Sequence, residues 1–185
     1  MGMRVLVGCE FSGVVREAFR KKGHDAWSCD IIPSDDNSPY HIQDDIQSHL
    51  NEGWDLMIVF PPCTYLCVSR ARWFKDRKPQ QENALLFVYS LMSCNIPKIC
   101  IENPVGVIST RIRKPDQIIQ PYQFGHGETK RTCLWLKNLP KLIPTKIVEG
   151  REARIHKMGP SKDRGKLSSI TYKGIAEAMA EQWGS

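Results

Sequence analysis

The 185-residue chain has ordinary globular composition, with 41% hydrophobic and 25% charged residues. That length supports one good core, so we expect a single domain over residues 1–185 and a monomer. No apolar run approaches the roughly 18 residues of a membrane-spanning helix, and the N-terminus shows no signal-peptide pattern, which predicts a cytoplasmic protein without a membrane partner. The formal charge of +6 favours a polyanionic partner.

The seven cysteines are an odd number and include no C-x-x-C spacing. Most lie inside apolar runs, where a free thiol packs as a small hydrophobe, so we expect reduced thiols. Cys63 and Cys67 lack a second pair or nearby histidines. We therefore expect no metal site.

Hydrophobic periodicity and turn residues predict elements that alternate along the chain. In order, they are a strand Arg4–Gly8, a helix Val14–Lys22, a strand Asp25–Ile32, a short helix Asp45–Leu50, a strand Trp54–Phe60, a helix Gln80–Ser93, a strand Lys98–Ile101, a strand Arg131–Leu136 and a helix Tyr172–Trp183. This alternation implies an α/β protein with a doubly wound, mostly parallel sheet. About residues 139–167, rich in charge and with three prolines, form the predicted irregular segment.

Polar residues follow these strands where a parallel sheet places its ligand crevice. They are Cys9–Gly13, Asp30, Asp44–Ile46, Pro61–Cys63 and Glu102–Asn103. Each alone is typical of a turn or a helix cap. Their occurrence at one predicted edge indicates a functional site.

Pro61-Pro62-Cys63 and Glu102-Asn103-Pro104, both closing apolar strands, fit chemistry on cytosine. Carbon 5 of cytosine is a poor nucleophile. A thiolate that adds to carbon 6 activates it, and a carboxylic acid at N3 stabilises the charge that develops. This reaction requires one cysteine and one glutamate at the same base.

On these residues the sequence resembles the DNA cytosine-5 methyltransferase family, particularly the small members encoded by bacteriophages. The resemblance implies a Rossmann-like methyltransferase domain, S-adenosylmethionine as methyl donor, S-adenosylhomocysteine as product and DNA as partner. It also implies that the modification could serve restriction evasion. By position, Cys63 matches the nucleophile, Glu102 the N3 partner and Arg131 the group that contacts the cytosine O2.

The same resemblance implies a cofactor site and a closing helix. The matching cofactor-binding positions are Phe11, Ser12, Gly13, Asp30, Ile31, Asp45, Ile46 and Pro61. Asp30 resembles the acidic residue that holds the ribose hydroxyls, and Asp45-Ile46 the pair that reads the adenine. The helix Tyr172–Trp183 is similar to the one that packs beside the methionine end of the cofactor.

Two basic clusters favour nucleic acid over a free nucleotide. One, beside Trp73 and Phe74, is expected to be a mobile loop that closes over backbone and base, and the other contains eight Lys/Arg against three acidic residues between Lys141 and Lys166. The predicted DNA-binding residues are Arg70, Arg72, Lys75, Arg77, Lys130, Arg151 and Arg154. The free-energy cost of extruding the target base from the duplex must be offset by contacts of this kind.

The chain departs from the family pattern where sequence recognition is concerned. Only 35 residues separate Leu136 from Tyr172, where larger members carry a target-recognition domain. We therefore expect short or relaxed sequence specificity. Two alternatives stay open: methylation of cytosine in RNA or in a nucleotide, and a non-catalytic DNA-binding relative.

Overall fold

The structure is a computed structural model that describes residues 2–159, 161 and 163–185, leaving the side chains of residues 70, 72 and 73 outside the description. Its strands are β1 Arg4–Gly8, β2 Asp25–Asp30, β3 His41–Gln43, β4 Leu56–Val59, β5 Lys98–Pro104, β6 Gln117–Ile119 and β7 Thr132–Lys137. Its α-helices are α1 Val14–Lys21, α2 Lys78–Ser93, α3 Ile108–Arg111, α4 Arg154–Lys157, α5 Arg164–Ser169 and α6 Lys173–Trp183. Short 3-10 helices cover Ile46–His49, Val68–Asp76 and Pro121–Gln123.

The strands form one sheet in the order β3-β2-β1-β4-β5-β7-β6. Neighbours from β3 to β5 pair in parallel, whereas β7 pairs antiparallel with both β5 and β6. Since β7 runs against the rest, the residues just before it lie at the same edge as the carboxyl end of β5. Thr132 is the register partner of Pro104.

Alternating side chains along the strands build two apolar layers, one on each face. Val5 and Val7 of β1 pack in one layer, together with α1 and α6. Leu6 packs in the other layer with α2. This arrangement covers both faces of the sheet, as a doubly wound α/β fold requires.

The α/β fold with a mostly parallel sheet is confirmed, and the predicted strands and main helices are present with small shifts at their ends. The prediction missed β3 and β6, each only three residues long. The predicted basic loop contains a 3-10 helix over Val68–Asp76. Within the described part of the chain, no helix is long and apolar enough to cross a membrane.

Candidate active site at the carboxyl edge of the sheet

The first loop of the site follows β1 and turns sharply into α1. Cys9 and Gly13 both have positive φ, at 55° and 72°. A side chain at Gly13 would collide with the Arg16 guanidinium, so glycine is required both for backbone conformation and for space. Arg16 is fully buried, donates to Ser28 Oγ at 2.7 Å and pairs with Asp36. This pairing joins the loop after β1 to the loop after β2.

Glu10 is a buried acid in this loop to which the sequence interpretation assigned no role. Its carboxylate accepts the backbone N–H groups of Val15, at 2.7 Å, and Arg16, at 3.3 Å. Ser12 Oγ donates to it at 3.4 Å. Burial raises the pKa of Glu10 to about 7, although these hydrogen bonds lower it. The first free N–H groups of α1 are therefore capped by the protein's own carboxylate.

The ends of β2 and β3 carry four more of the predicted cofactor residues. Asp30 is half-buried, its carboxylate accepts the Ile32 N–H at 3.2 Å, and burial raises its pKa. Ile31 beside it is 73% exposed. Asp45 caps the 3-10 helix over Ile46–His49 by accepting the Gln47 N–H at 2.9 Å. Ile46 itself is buried and fills the space beside Gly8.

The turn after β4 presents Cys63. The Cys63 carbonyl accepts the N–H groups of Leu66 and Cys67, both at 3.0 Å, which closes a tight turn. Cys63 is half-buried, whereas Pro61 is buried. Cys67, also buried, makes a 3.0 Å hydrogen bond with Ser69 Oγ.

Three hydrogen bonds described here join this turn to the end of β5 and to the residues that follow it. The buried side chain of Asn103 donates from Nδ2 to the Pro61 carbonyl at 2.8 Å. Further along, Val68 N–H donates to Val105 at 3.0 Å, and Val107 N–H donates to Leu66 at 2.8 Å. At Gly106 a Cβ would collide with the Leu66 carbonyl, so the two segments approach closely only because this residue is glycine.

Charged and polar neighbours shift the pKa values of Cys63 and Glu102. A hydrogen bond with the Cys67 thiol, followed by burial and the Glu102 charge, raises the pKa of Cys63 above its usual range. Burial raises the pKa of Glu102, while Lys130 and a hydrogen bond with Thr132 lower it. Lys130 also lowers the pKa of Cys63. The carboxyl group and the ammonium group therefore both lie close enough to Cys63 to affect its pKa.

A small cleft opens beside Glu102 and Lys130. Glu102, Lys130 and Thr132 line one part of it, and Tyr172 and Met179 bring α6 to another. Phe60 contributes an aromatic surface. An acid, a cation and apolar walls suit a planar, polar ring. The sequence interpretation included neither Thr132 nor Tyr172 among the site residues.

The structure separates Lys130 from Arg131. Lys130 is half-buried and lines the cleft, whereas Arg131 is exposed and is not among the residues that line it. The sequence interpretation gave Arg131 the catalytic role and Lys130 a DNA-binding role. Side chains alternate between the two sides of the extended chain that leads into β7. Lys130 and Thr132 therefore lie on the side of the cleft, and Arg131 lies on the opposite side.

The predicted DNA-binding residues have different surroundings. Lys75 and Arg77 are exposed, and the Arg77 guanidinium lies 6.0 Å from the Tyr65 ring centroid. Arg151 stacks on Tyr122 at 3.8 Å. The side chains of Arg70 and Arg72 lie outside the described part of the structure.

Arg154 is already paired with an acid. Its guanidinium lies 2.9 Å from Glu128, which also accepts the Tyr172 hydroxyl at 2.7 Å. Its positive charge is therefore partly neutralised, in contrast to that of Arg151.

Helix α5 links the irregular segment to both halves of the edge. Lys166 pairs with Asp35 at 2.6 Å and lies 5.2 Å from the Phe11 ring centroid. The Lys130 ammonium donates to the Ser168 carbonyl at 2.6 Å. Ser169 lines the cleft. The end of the irregular segment and the residues just after it therefore reach the site directly.

Among the residues that the structure describes, no three His, Cys, Asp or Glu side chains form a cluster that could hold a metal ion.

No protein-family model matches this sequence, and neither does any curated protein. Solved structures do match. One, described as a DNA modification methyltransferase encoded within an E. coli prophage, is 14% identical with a TM-score of 0.50, over 80% of this chain and 52% of its own. The two chains share a Rossmann-like fold.

A second solved structure, the S. pombe Dnmt2 methyltransferase, is 18% identical with a TM-score of 0.47. The match covers 75% of this chain and 50% of that one. The present chain thus spans about half the length of these two structures.

Proposed function

We propose that this protein is an S-adenosylmethionine-dependent DNA cytosine-5 methyltransferase in which Cys63 forms a transient covalent bond to the base. The observation that carries the proposal is the approach of Cys63 to Glu102 and Lys130, which both line the cleft and whose charges act on the Cys63 thiol. Binding alone needs no nucleophile, which argues for catalysis.

The residues after β1 and at the end of β2 are suited to bind a nucleoside cofactor that has no phosphate groups. A pyrophosphate would normally occupy the N-terminus of the first helix in such a sheet. Here the Glu10 carboxyl group already accepts two of those N–H groups and so occupies the place of a phosphate. Asp30 supplies a carboxylate for ribose hydroxyls, and exposed Ile31 an apolar surface for a base. S-adenosylmethionine, which carries no phosphate, matches this set.

In the mechanism, the Cys63 sulfur bonds to carbon 6 of cytosine, and its thiol proton passes to solvent water. Glu102, whose raised pKa favours the protonated acid, donates its proton to N3 as electron density moves toward carbon 5. S-adenosylmethionine, when bound, would supply an electrophilic methyl group for carbon 5 and would leave as S-adenosylhomocysteine. Water then removes the carbon-5 proton, the C–S bond breaks, and Glu102 recovers the proton from N3.

DNA as substrate rests on charge and on the fold. Exposed Lys75 and Arg77 lie on the segment after Cys63, and Arg151 and Lys146 lie on the irregular segment. Such a surface attracts phosphates, and the extruded base gains contacts that offset unstacking. The prophage protein with the shared fold is itself described as a DNA modification methyltransferase. Because the irregular segment is short, we expect short or relaxed sequence specificity.

The test is transfer of labelled methyl groups from S-adenosylmethionine to cytosine-containing duplex DNA, with modified positions mapped by bisulfite sequencing. We expect 5-methylcytosine with the parent protein and none with Cys63→Ala. Cys94→Ala is the matched control, since Cys94 is also half-buried but lies at the end of α2.

Parallel reactions with RNA and with deoxycytidine nucleotides distinguish the alternative substrates. Transfer to RNA alone would contradict the DNA assignment. Absence of transfer despite measurable binding of cofactor and DNA would contradict catalysis and favour a DNA-binding relative.

A further inference from the structure

We propose that Lys130 is the catalytic cation of this site, donating to the O2 carbonyl of the target cytosine while Glu102 holds N3. This inference rests on the proposed function and assigns to Lys130 the role for which the sequence favoured Arg131. Its basis is the position of Lys130 in the cleft, its anchoring and its shared interaction with Cys63 and Glu102.

Position separates the two basic neighbours. Lys130 and Thr132 lie two residues apart and both line the cleft with Glu102, whereas Arg131 between them is exposed. Residues two apart on an extended chain share a side, so the geometry that brings Thr132 inward at the start of β7 also brings Lys130 inward.

Lys130 is held in place at both ends. Its backbone N–H donates to Gln120 Oε1 at 2.8 Å, and its ammonium donates to the Ser168 carbonyl at 2.6 Å. The ammonium also lies 5.9 Å from the Tyr172 ring centroid. Since an ammonium group has three protons, the bond to Ser168 leaves two for a ligand. A positioned donor of this kind loses little freedom when substrate binds.

The charge of Lys130 acts on both reacting groups. Among the described residues, the Cys67 thiol and Glu102 raise the pKa of Cys63, whereas Lys130 lowers it and so favours the thiolate. The same ammonium favours the ionised form of Glu102. When sulfur adds to carbon 6, negative charge develops along N3 and O2 of the ring. A hydrogen bond from an ammonium group to O2 is strongest at that stage, because the O2 acceptor has become more negative.

Three variants test this assignment: Lys130→Met, which removes the charge, Lys130→Arg, which keeps it, and Arg131→Met, which tests the rival residue. Lys114→Met, at an exposed site outside the cleft, is the matched control. Single-turnover methyl transfer to duplex DNA should fall about 100-fold or more in Lys130→Met, the size seen when one charge-stabilising donor is removed. Lys130→Arg should recover part of that loss, and Arg131→Met should lose less than Lys130→Met.

A second readout does not depend on methyl transfer. Alkylation of Cys63 by iodoacetamide, followed by peptide mass spectrometry across pH, measures the thiolate directly. Lys130→Met should shift the Cys63 profile to higher pH, Lys130→Arg should restore it, and Lys114→Met should match the parent. The other cysteines serve as internal controls for folding.

The two readouts separate the inference from the function on which it rests. If the parent transfers no methyl groups but Lys130→Met still shifts the alkylation profile, the proposed function fails and the position of Lys130 stands. A larger loss of transfer in Arg131→Met than in Lys130→Met, or an unchanged alkylation profile in Lys130→Met, would overturn the assignment of Lys130.

Discussion

Asn103 at the end of β5 donates its side-chain amide to the carbonyl of Pro61 after β4, at 2.8 Å and in a buried position. This hydrogen bond holds the turn that presents Cys63 against the strand that presents Glu102. The strands are neighbours in the sheet, so this contact helps to position the two segments that carry the reacting groups.

Asn103→Ala should therefore lower both stability and methyl transfer. Loss of the amide leaves the buried Pro61 carbonyl unpaired, which costs about 1–3 kcal/mol of unfolding free energy. Urea unfolding measures this cost, and single-turnover methyl transfer measures the misplacement of Cys63. Asn83→Ala, at an exposed position on α2, should match the parent in both. Unchanged transfer in Asn103→Ala would show that the turn holds its position without this bond.

Cys67→Ala should make Cys63 more reactive. The hydrogen bond with the Cys67 thiol is the largest cause of the raised pKa of Cys63, so its removal lowers that pKa and increases the thiolate fraction. Alkylation of Cys63 near pH 8, followed by mass spectrometry, should be faster than in the parent. Cys94→Ala is the control and should leave the rate unchanged. A slower rate in Cys67→Ala would contradict the prediction.

Glu10 should make folding stability depend on pH. Burial raises its pKa from 4.5 to about 7 in the folded protein. The folded state therefore binds more protons than the unfolded state between these values, and stability falls as pH rises through them. Glu10→Gln should flatten the decline in unfolding free energy measured by urea between pH 4.5 and pH 7.

Glu149→Gln, an exposed acid on the irregular segment, is the matched control for this pH series. It should keep the slope of the parent. An equal slope of unfolding free energy against pH in the parent and in Glu10→Gln would show that Glu10 has the same pKa in the folded and unfolded states.

Arg151 and Arg154 should differ in their contribution to DNA binding. The Arg151 guanidinium stacks on the uncharged ring of Tyr122, whereas the Arg154 guanidinium is paired with the Glu128 carboxylate. Arg151→Ala should reduce the dependence of log affinity on log salt by about 1, as expected for one lost phosphate contact. Arg154→Ala should change it less. Fluorescence anisotropy with a labelled duplex at several salt concentrations measures both slopes, and a larger change for Arg154 would contradict the prediction.

Local pattern was sufficient for much of the fold. Continuous apolar runs such as β4, and the helix stop at Gly23, depend on neighbours a few residues away, so sequence periodicity reports them. Strand β3 was missed because three residues carry too little periodicity, and its pairing with β2 makes it a strand.

The sequence by itself determined the alternation of strands and helices, and it placed a cysteine and a glutamate after two apolar strands. These properties follow from local polarity and spacing. Tertiary structure decided the strand order, the reversed direction of β7 and hence the approach of Lys130, rather than Arg131, to Glu102. It also decided that Glu10 caps α1 and that α5 reaches Lys130. Long-range packing selects these contacts, and no local pattern in a single sequence encodes which distant segments meet.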